Sequence, residues 1–289
     1  MKRFYLLIII LVLFGCKDSK VEQEEIVLTK SKPVAIFKAS KQDYPNISVH
    51  RGGKGLTNYP ENCLETLQFI NDSISAVYEI DVAQTKDGQL ILMHDNSIER
   101  TTNGSGSVKD MTYNELKVYN LVDDYGNETN FRIPLLTDVL NWSKENNVIL
   151  TVDIKRSVKQ EDVINAIKKA DAMDVSIIIT YSVEQAQSAF NLAPELLLSV
   201  SARNHNEFDR LLETDIPVEN MIAFTGTRLS NASLYQRLHE QGIVCILGTL
   251  GNLDKQAAAR GNDMYKRWYN FGANILATDR PFDAYKAIN

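Results

Sequence analysis

The sequence predicts an α/β fold, a (β/α)8 TIM barrel with a β-hairpin and a small insertion near residues 83–132. Three observations predict it. Short apolar, β-branched runs alternate with amphipathic helical patterns, which is how a parallel sheet with crossover helices reads. There are nine such runs, but one pair is joined by too few residues for a crossover, which leaves eight parallel strands. Polar, chemistry-bearing side chains recur at the carboxyl ends of those strands, where barrels carry their sites.

In chain order, strands are expected at 47–50, 77–82, 90–93, 148–154, 176–180, 196–200, 221–224, 243–247 and 274–277. Helical patterns are expected at 62–70, 134–145, 161–173, 183–192, 207–212, 232–240 and 253–271. In the third of these, Val163, Ile164, Ile167 and Ala170 fall on one stripe. Gly242 and Gly272 sit just past two helices, where a left-handed C-cap is wanted. Between Val82 and Leu90 there is no room for a crossover, and Asp87-Gly88 is a turn signal. Residues 90–93 should therefore return antiparallel, as a hairpin above the barrel. Residues 96–132 hold glycines, turn residues and a short helical pattern at 114–119, and read as an insertion. The other architecture considered, an open doubly wound sheet, lacks a glycine-rich fingerprint after the first strand.

The ends suggest an exported protein. Met1-Lys2-Arg3 precedes an apolar run of 11 residues, 4–14, shorter than the roughly 20 a spanning helix needs. A signal peptide is favoured. Its end, Leu13-Phe14-Gly15-Cys16, resembles a bacterial lipobox, which makes Cys16 the lipid-bearing first residue of the mature chain. The alternative is an ordinary secretory signal with a chance cysteine. Three segments follow: a lipoprotein signal peptide at 1–15, a polar tether at 16–44 and a barrel domain at 45–289. Within the tether, the apolar patch Val34-Ala35-Ile36-Phe37 is expected to dock on the domain. The expected location is the cell envelope, anchored to a membrane on its periplasmic or surface face. Oligomeric state leaves no signal in the sequence.

Composition narrows the partners. Removing residues 1–15 takes away Lys2 and Arg3 and no acid, so 31 basic residues become 29 against 37 acidic, a net charge of −8. A nucleic-acid binder would carry a basic excess; a small soluble substrate fits better. Besides Cys16, Cys63 and Cys245 are read as buried free thiols, with a single bridge as the alternative.

The chemistry concentrates between His50 and Arg100. Glu79 and Asp81 are two apart, so on a strand they share a face. Asp153, on a neighbouring strand, completes a three-carboxylate corner suited to Mg²⁺ or Ca²⁺ rather than zinc. The alternative is a metal-free set of salt bridges to Arg51 and Lys155. His50 and His94 are candidates for a general base and a general acid. His205 and His239 lack such company and read as surface residues. Arg51 and Lys155 suit a phosphoryl group, or serve as counter-ions to the acids. Glu61 and Asn62 follow Pro60 at an expected helix start; Asn62 is read as an N-cap and Glu61 as solvated, or both face the site beneath the 53–59 loop.

These residues form an ordered set. His50-Arg51-Gly52, Pro60-Glu61-Asn62, Glu79-x-Asp81, Thr85-Lys86-Asp87-Gly88, His94-Asp95, Arg100-Thr101-Thr102, Asp153-x-Lys155 and Thr278-Asp279-Arg280-Pro281 together resemble the glycerophosphodiester phosphodiesterases. The resemblance implies a divalent metal and hydrolysis of glycerophosphodiesters to sn-glycerol 3-phosphate and an alcohol. It implies His50 and His94 as the catalytic pair, Glu79, Asp81 and Asp153 as metal ligands, Glu61 as an additional ligand, and Arg51 and Lys155 as phosphate contacts. Two departures stand out. The family usually has Glu where this chain has Asp153, one methylene shorter. It often has Trp-Thr after the seventh barrel strand, where this chain has Gly248-Thr249, so an aromatic wall is missing. Two rival functions were weighed: a phospholipase-type phosphodiesterase acting on intact lipid head groups, and a surface lipoprotein that binds phosphodiesters or glycans without turnover.

Overall fold

The structure, a computed structural model, describes residues 29–289. The leader and Cys16 lie outside the described residues. The strands are β1 (Ile47–Val49), β2 (Val77–Gln84), β3 (Leu90–Leu92), β4 (Asn120–Val122), β5 (Glu128–Arg132), β6 (Ile149–Ile154), β7 (Ser176–Thr180), β8 (Leu197–Ser201), β9 (Met221–Phe224), β10 (Cys245–Gly248) and β11 (Ile275–Thr278). Neighbours run β1-β11-β10-β9-β8-β7-β6-β2, and a β1–β2 pairing closes the ring. All eight junctions are parallel. The fold is the closed eight-stranded α/β barrel that the strand–helix alternation predicts.

The helices are α1 (Lys32–Ile36), α2 (Leu64–Asn71), α3 (Tyr113–Leu116), α4 (Leu136–Asn146), α5 (Gln160–Lys169), α6 (Val183–Leu192), α7 (His205–Leu212), α8 (Ala232–Glu240), α9 (Asn252–Arg260), α10 (Asp263–Phe271) and α11 (Pro281–Ile288). Alternation along each strand sorts side chains into two cores. Ile177, Leu197, Ile222 and Ile275 meet inside the barrel. Their chain neighbours Ile178, Leu198, Ala223 and Leu276 face the surrounding helices. The inner core is closed from below by the segment before β1. Val34 and Phe37 are buried there, and Phe37 stacks on Tyr44 with ring centroids 5.2 Å apart. Burying Phe37 contributes roughly 2 to 3 kcal/mol. The apolar patch at 34–37 thus docks on the amino-terminal end of the barrel, opposite the strand ends that carry the polar groups.

The hairpin forms as expected. β3 pairs antiparallel with β2, matching Val82 with Leu92 and Gln84 with Leu90, and Gly88 turns the chain at φ 80°. This folds residue 94 back over the ring. Two expectations need correction. The insertion holds a second hairpin, β4–β5, with its own small core around Ile98, Leu116, Leu121 and Ile133. β5 holds one apolar residue, Phe131, and none of its residues is buried, so it lacks the apolar run that marks the barrel strands. The single helix expected at 253–271 is two, α9 and α10, because Gly261 adopts φ 111° and the apolar stripe restarts at Tyr265 and Trp268.

Candidate active site

The site grows out of strand register. β2 and β6 run parallel with Asp81 opposite Asp153 and Glu79 opposite Thr151. Period-two alternation aims Glu79, Asp81 and Asp153 at the same side. One oxygen from each lies within 4.8 Å of the other two. Asp81 and Asp153 are buried. Lys155, two residues beyond Asp153, reaches back, with its Nζ 2.5 Å from Asp81 and 3.0 Å from Asp153.

Charge crowding sets the protonation states. Burial and then the nearby Asp81 charge push the Glu79 carboxyl well above the usual range, against a hydrogen bond from the Arg51 N–H. Burial also works against an ionised Asp81, but the Lys155 ammonium outweighs it, aided by Asn62, and leaves Asp81 below the usual range. Lys155 is in turn held above its ordinary value: burial opposes its charge, and Asp81 and Asp153 more than offset that. Tyr181, just beyond β7, is raised by burial and then by the charge of Asp153.

The residues present fit a divalent cation. Among the described residues, Asp153 Oδ1 is buried with no hydrogen-bond partner, an arrangement that costs free energy unless something fills the gap. The clustered donors are hard carboxylate oxygens. A cation among them would offset the burial and the Asp81 charge that raise the Glu79 carboxyl. Lys155 satisfies part of this need, so the salt bridges weighed as the alternative are present as well.

The turn after β1 shapes the other side. His50–Gly52 forms one 3₁₀ turn in which Arg51 adopts the left-handed region at φ 51° and Gly52 follows at φ 63°. A side chain at Gly52 would meet Leu67 Cδ1 at 2.5 Å. This turn delivers the Arg51 N–H to Glu79 Oε2 at 2.7 Å. The Arg51 guanidinium donates to Glu61 at 3.1 Å and to His94 Nε2 at 2.7 Å. A guanidinium cannot accept, so His94 Nε2 accepts and His94 Nδ1 carries the proton, given to Asp95 at 2.6 Å. Asp95 is depressed to about 2, first by the hydrogen bond from Arg100. His50 Nδ1 lies 2.6 Å from Asp279 Oδ1. Burial pulls Asp279 upward, but the bond and charge of His50 outweigh it and hold Asp279 below the usual carboxylate range.

His50, Glu79, Asp81, His94 and Asp153 line one cavity of about 210 Å³ at the carboxyl ends of the strands. Arg51 and Lys155 touch its wall through the bonds above. Glu61 lies outside the three-acid group: it is buried and paired with Arg51 and Arg100. Asn62 is not an N-cap. Helix α2 starts two residues later, and Asn62, at φ 52°, braces Asp81 by donating from Nδ2 at 2.7 Å and accepting its N–H at 2.9 Å. His205 and His239 sit away from the cavity, bonded to Ser233 and Asn274. Cys63 and Cys245 are free and buried, and burial pushes both thiols up to about 12. Sequence reading gave no role to Asp279, Asp95, Arg100 or Tyr181. Asp279 had a usable signal, its position at the end of the last barrel strand.

The model of the glycerophosphoryl diester phosphodiesterase family matches residues 50–281. The chain belongs to this family. A solved glycerophosphoryl diester phosphodiesterase from Parabacteroides distasonis superposes with a TM-score of 0.80 at 29% identity, covering 88% of this chain and 90% of that one. A glycerophosphodiester phosphodiesterase of Bacillus altitudinis is 40% identical over 114 residues, which are 39% of this chain and 46% of the relative. One from Caldanaerobacter subterraneus is 29% identical over 53% of this chain and 65% of the relative. The chain thus spans less than two thirds of the length of these curated relatives. The aromatic wall that Gly248 lacks is supplied from the next strand. Phe224 lines the cavity, and its ring lies 3.1 Å from where a Gly248 Cβ would be.

The Glu79 environment predicts how metal-free stability responds to pH. Below the ordinary value of 4.5 both folded and unfolded chains hold the Glu79 proton; above its raised folded value the folded chain carries a charge it disfavours. With chelator present, urea unfolding free energy should lose this contribution as pH rises from 4.5 through that raised value. Glu79→Gln should flatten the slope; an unchanged slope in the variant contradicts the assignment.

Proposed function

We infer that the chain is a metal-dependent phosphoric diester hydrolase that converts glycerophosphodiesters to sn-glycerol 3-phosphate and an alcohol. The observation that carries this is the single cavity in which two imidazoles face a three-carboxylate corner. Glu79, Asp81 and Asp153 would hold Mg²⁺ or Ca²⁺. When bound, such a cation neutralises the acids and draws charge from the phosphoryl oxygens.

The chain's own groups supply the rest. His50 donates a hydrogen bond from Nδ1–H to Asp279, which leaves the Nε2 lone pair as a general base. His94 begins with Nε2 occupied by Arg51. A phosphoryl group that draws Arg51 onto itself frees that nitrogen to take a proton, and ionised Asp95 stabilises the resulting imidazolium. The nucleophile's O–H proton passes to His50 as its oxygen bonds to phosphorus. The bond from phosphorus to the alcohol oxygen breaks, and that oxygen takes the proton from His94. Arg51 and Lys155 hold the phosphoryl charge. The nucleophile is either the substrate's glycerol hydroxyl, giving a cyclic phosphate that water opens, or water itself; phosphorus NMR during turnover separates the two.

Purified protein should release glycerol phosphate from glycerophosphocholine, glycerophosphoethanolamine or glycerophosphoinositol with Mg²⁺ or Ca²⁺, and none with chelator. His50→Ala and His94→Ala should each lower kcat by about a hundredfold or more. No release from any of these diesters, or full activity in His50→Ala, overturns the reading.

The anchor belongs to the same reading. The described chain enters at the amino-terminal end of the barrel, where the Ser31 N–H donates to Glu195 O, opposite the cavity. A lipid on Cys16 would therefore tether the side away from the mouth, which suits a soluble diester better than an intact lipid. Two acyl chains anchor firmly where one is marginal. Cys16→Ala should move the protein from the membrane fraction to the soluble fraction; unchanged fractionation sinks the anchor.

A further inference from the structure

We propose that Asp254 is a positioning residue for the reaction, acting through Asp279 on His50. The proposal rests on His50 being catalytic. Asp254 sits in the first turn of α9 and is only 4% exposed, so its carboxylate needs partners. All of its side-chain partners are neutral donors. Oδ1 accepts from the Tyr265 hydroxyl and from Thr278 Oγ1, each at 2.9 Å, and Oδ2 accepts the Asp279 N–H at 2.8 Å. Its own N–H is spent on Thr249 O at 2.7 Å. Two of the three donors belong to consecutive residues at the end of β11.

That convergence fixes one short piece of backbone. Thr278 Oγ1 donates to Asp254 while accepting the Arg280 N–H at 2.9 Å. Residues 278 to 280 are thereby held as β11 leaves the barrel, and Asp279 is the residue between. Its side chain accepts a hydrogen bond at 2.6 Å from Nδ1 of His50, which lines the cavity. This bond decides which His50 nitrogen is free to act as base and where it points. Short charge-assisted bonds tolerate little displacement, and a misplacement near 1 Å can cost about a hundredfold in rate.

The same contacts say what an amide would do. Asparagine at 254 has one acceptor where two are used. With its NH₂ toward Asp279, two donors face each other. With its NH₂ toward Thr278, it competes with the Arg280 N–H for the hydroxyl lone pairs. Either way the strand end shifts, and Asp279 with it.

The test is a double-mutant cycle read by steady-state kinetics on glycerophosphocholine, with the full chain and saturating divalent cation. Asp254→Asn should lower kcat about tenfold or more and leave KM within about twofold. In an Asp279→Asn background the same change should cost less than about threefold, because its route is already cut. Tyr265→Phe, which leaves the Asp279 bond intact, should keep kcat within about twofold of wild type. If Asp254→Asn fails to fold, Thr278→Val removes both the donor to Asp254 and the acceptor of the Arg280 N–H, which loosens the backbone on both sides of Asp279, and should show a kcat loss coupled to Asp279. Wild-type kcat in Asp254→Asn, or losses at 254 and 279 that multiply as independent effects, overturn the proposal while an inactive His50→Ala leaves the catalytic reading standing. A fully active His50→Ala overturns both.

Discussion

The structure depends on one electrostatic constraint, three carboxylates gathered within 4.8 Å at the inner rim of the barrel. Like charges that close do not all ionise unless something offsets them. Lys155 offsets part of the charge. The Arg51 N–H and the Asn62 amide bind Glu79 and Asp81 from the facing loop. The left-handed turn at Arg51 and Gly52 aims the Arg51 N–H at Glu79. A backbone held in the left-handed region at a non-glycine residue costs about 1 kcal/mol or more and persists where its surroundings hold it there. Among the described residues, Asp153 Oδ1 still has no partner after these groups are satisfied.

Each imidazole is ordered by a carboxylate on its Nδ1, Asp279 for His50 and Asp95 for His94. The two then differ. His94 is capped at Nε2 by Arg51, whereas His50 has no such cap. Arg51 links the imidazole to buried Glu61, which also holds Arg100, which in turn holds Asp95. A displacement of Arg51 by a phosphoryl group would therefore be felt at His94 and Glu61 together. Removing Glu61 would leave Arg51 without its paired carboxylate, the costly way to break a buried pair.

Much of this was legible in the sequence, for physical reasons that differ by residue. Strand–helix alternation and the Asp87-Gly88 turn follow from local propensity, so the barrel and the hairpin that returns His94 could be read directly. Glu79 and Asp81 share a face because the period of a strand is two. Asp153 could be matched to them because parallel strands carry their active ends on one side. What could not be read depends on contacts between distant segments. Asn62 looked like a helix cap, since its partner Asp81 lies 19 residues away across the fold. Asp279 pairs with His50 across a separation of 229 residues. The β4–β5 hairpin was missed because β5 holds a single apolar residue, Phe131, so no apolar run marks it. The break at Gly261 was missed because the apolar stripe resumes after it.

The central claim, that the three-carboxylate corner is a divalent-cation site, is tested most directly by calorimetric titration of chelator-treated protein with Mg²⁺ and with Ca²⁺ in buffers of different ionisation enthalpy. The account predicts one cation bound per chain, with proton release at a pH where Glu79 is still protonated, and loss of both in Asp153→Ala. Absence of binding at millimolar cation, or binding that survives Asp153→Ala unchanged, would contradict it.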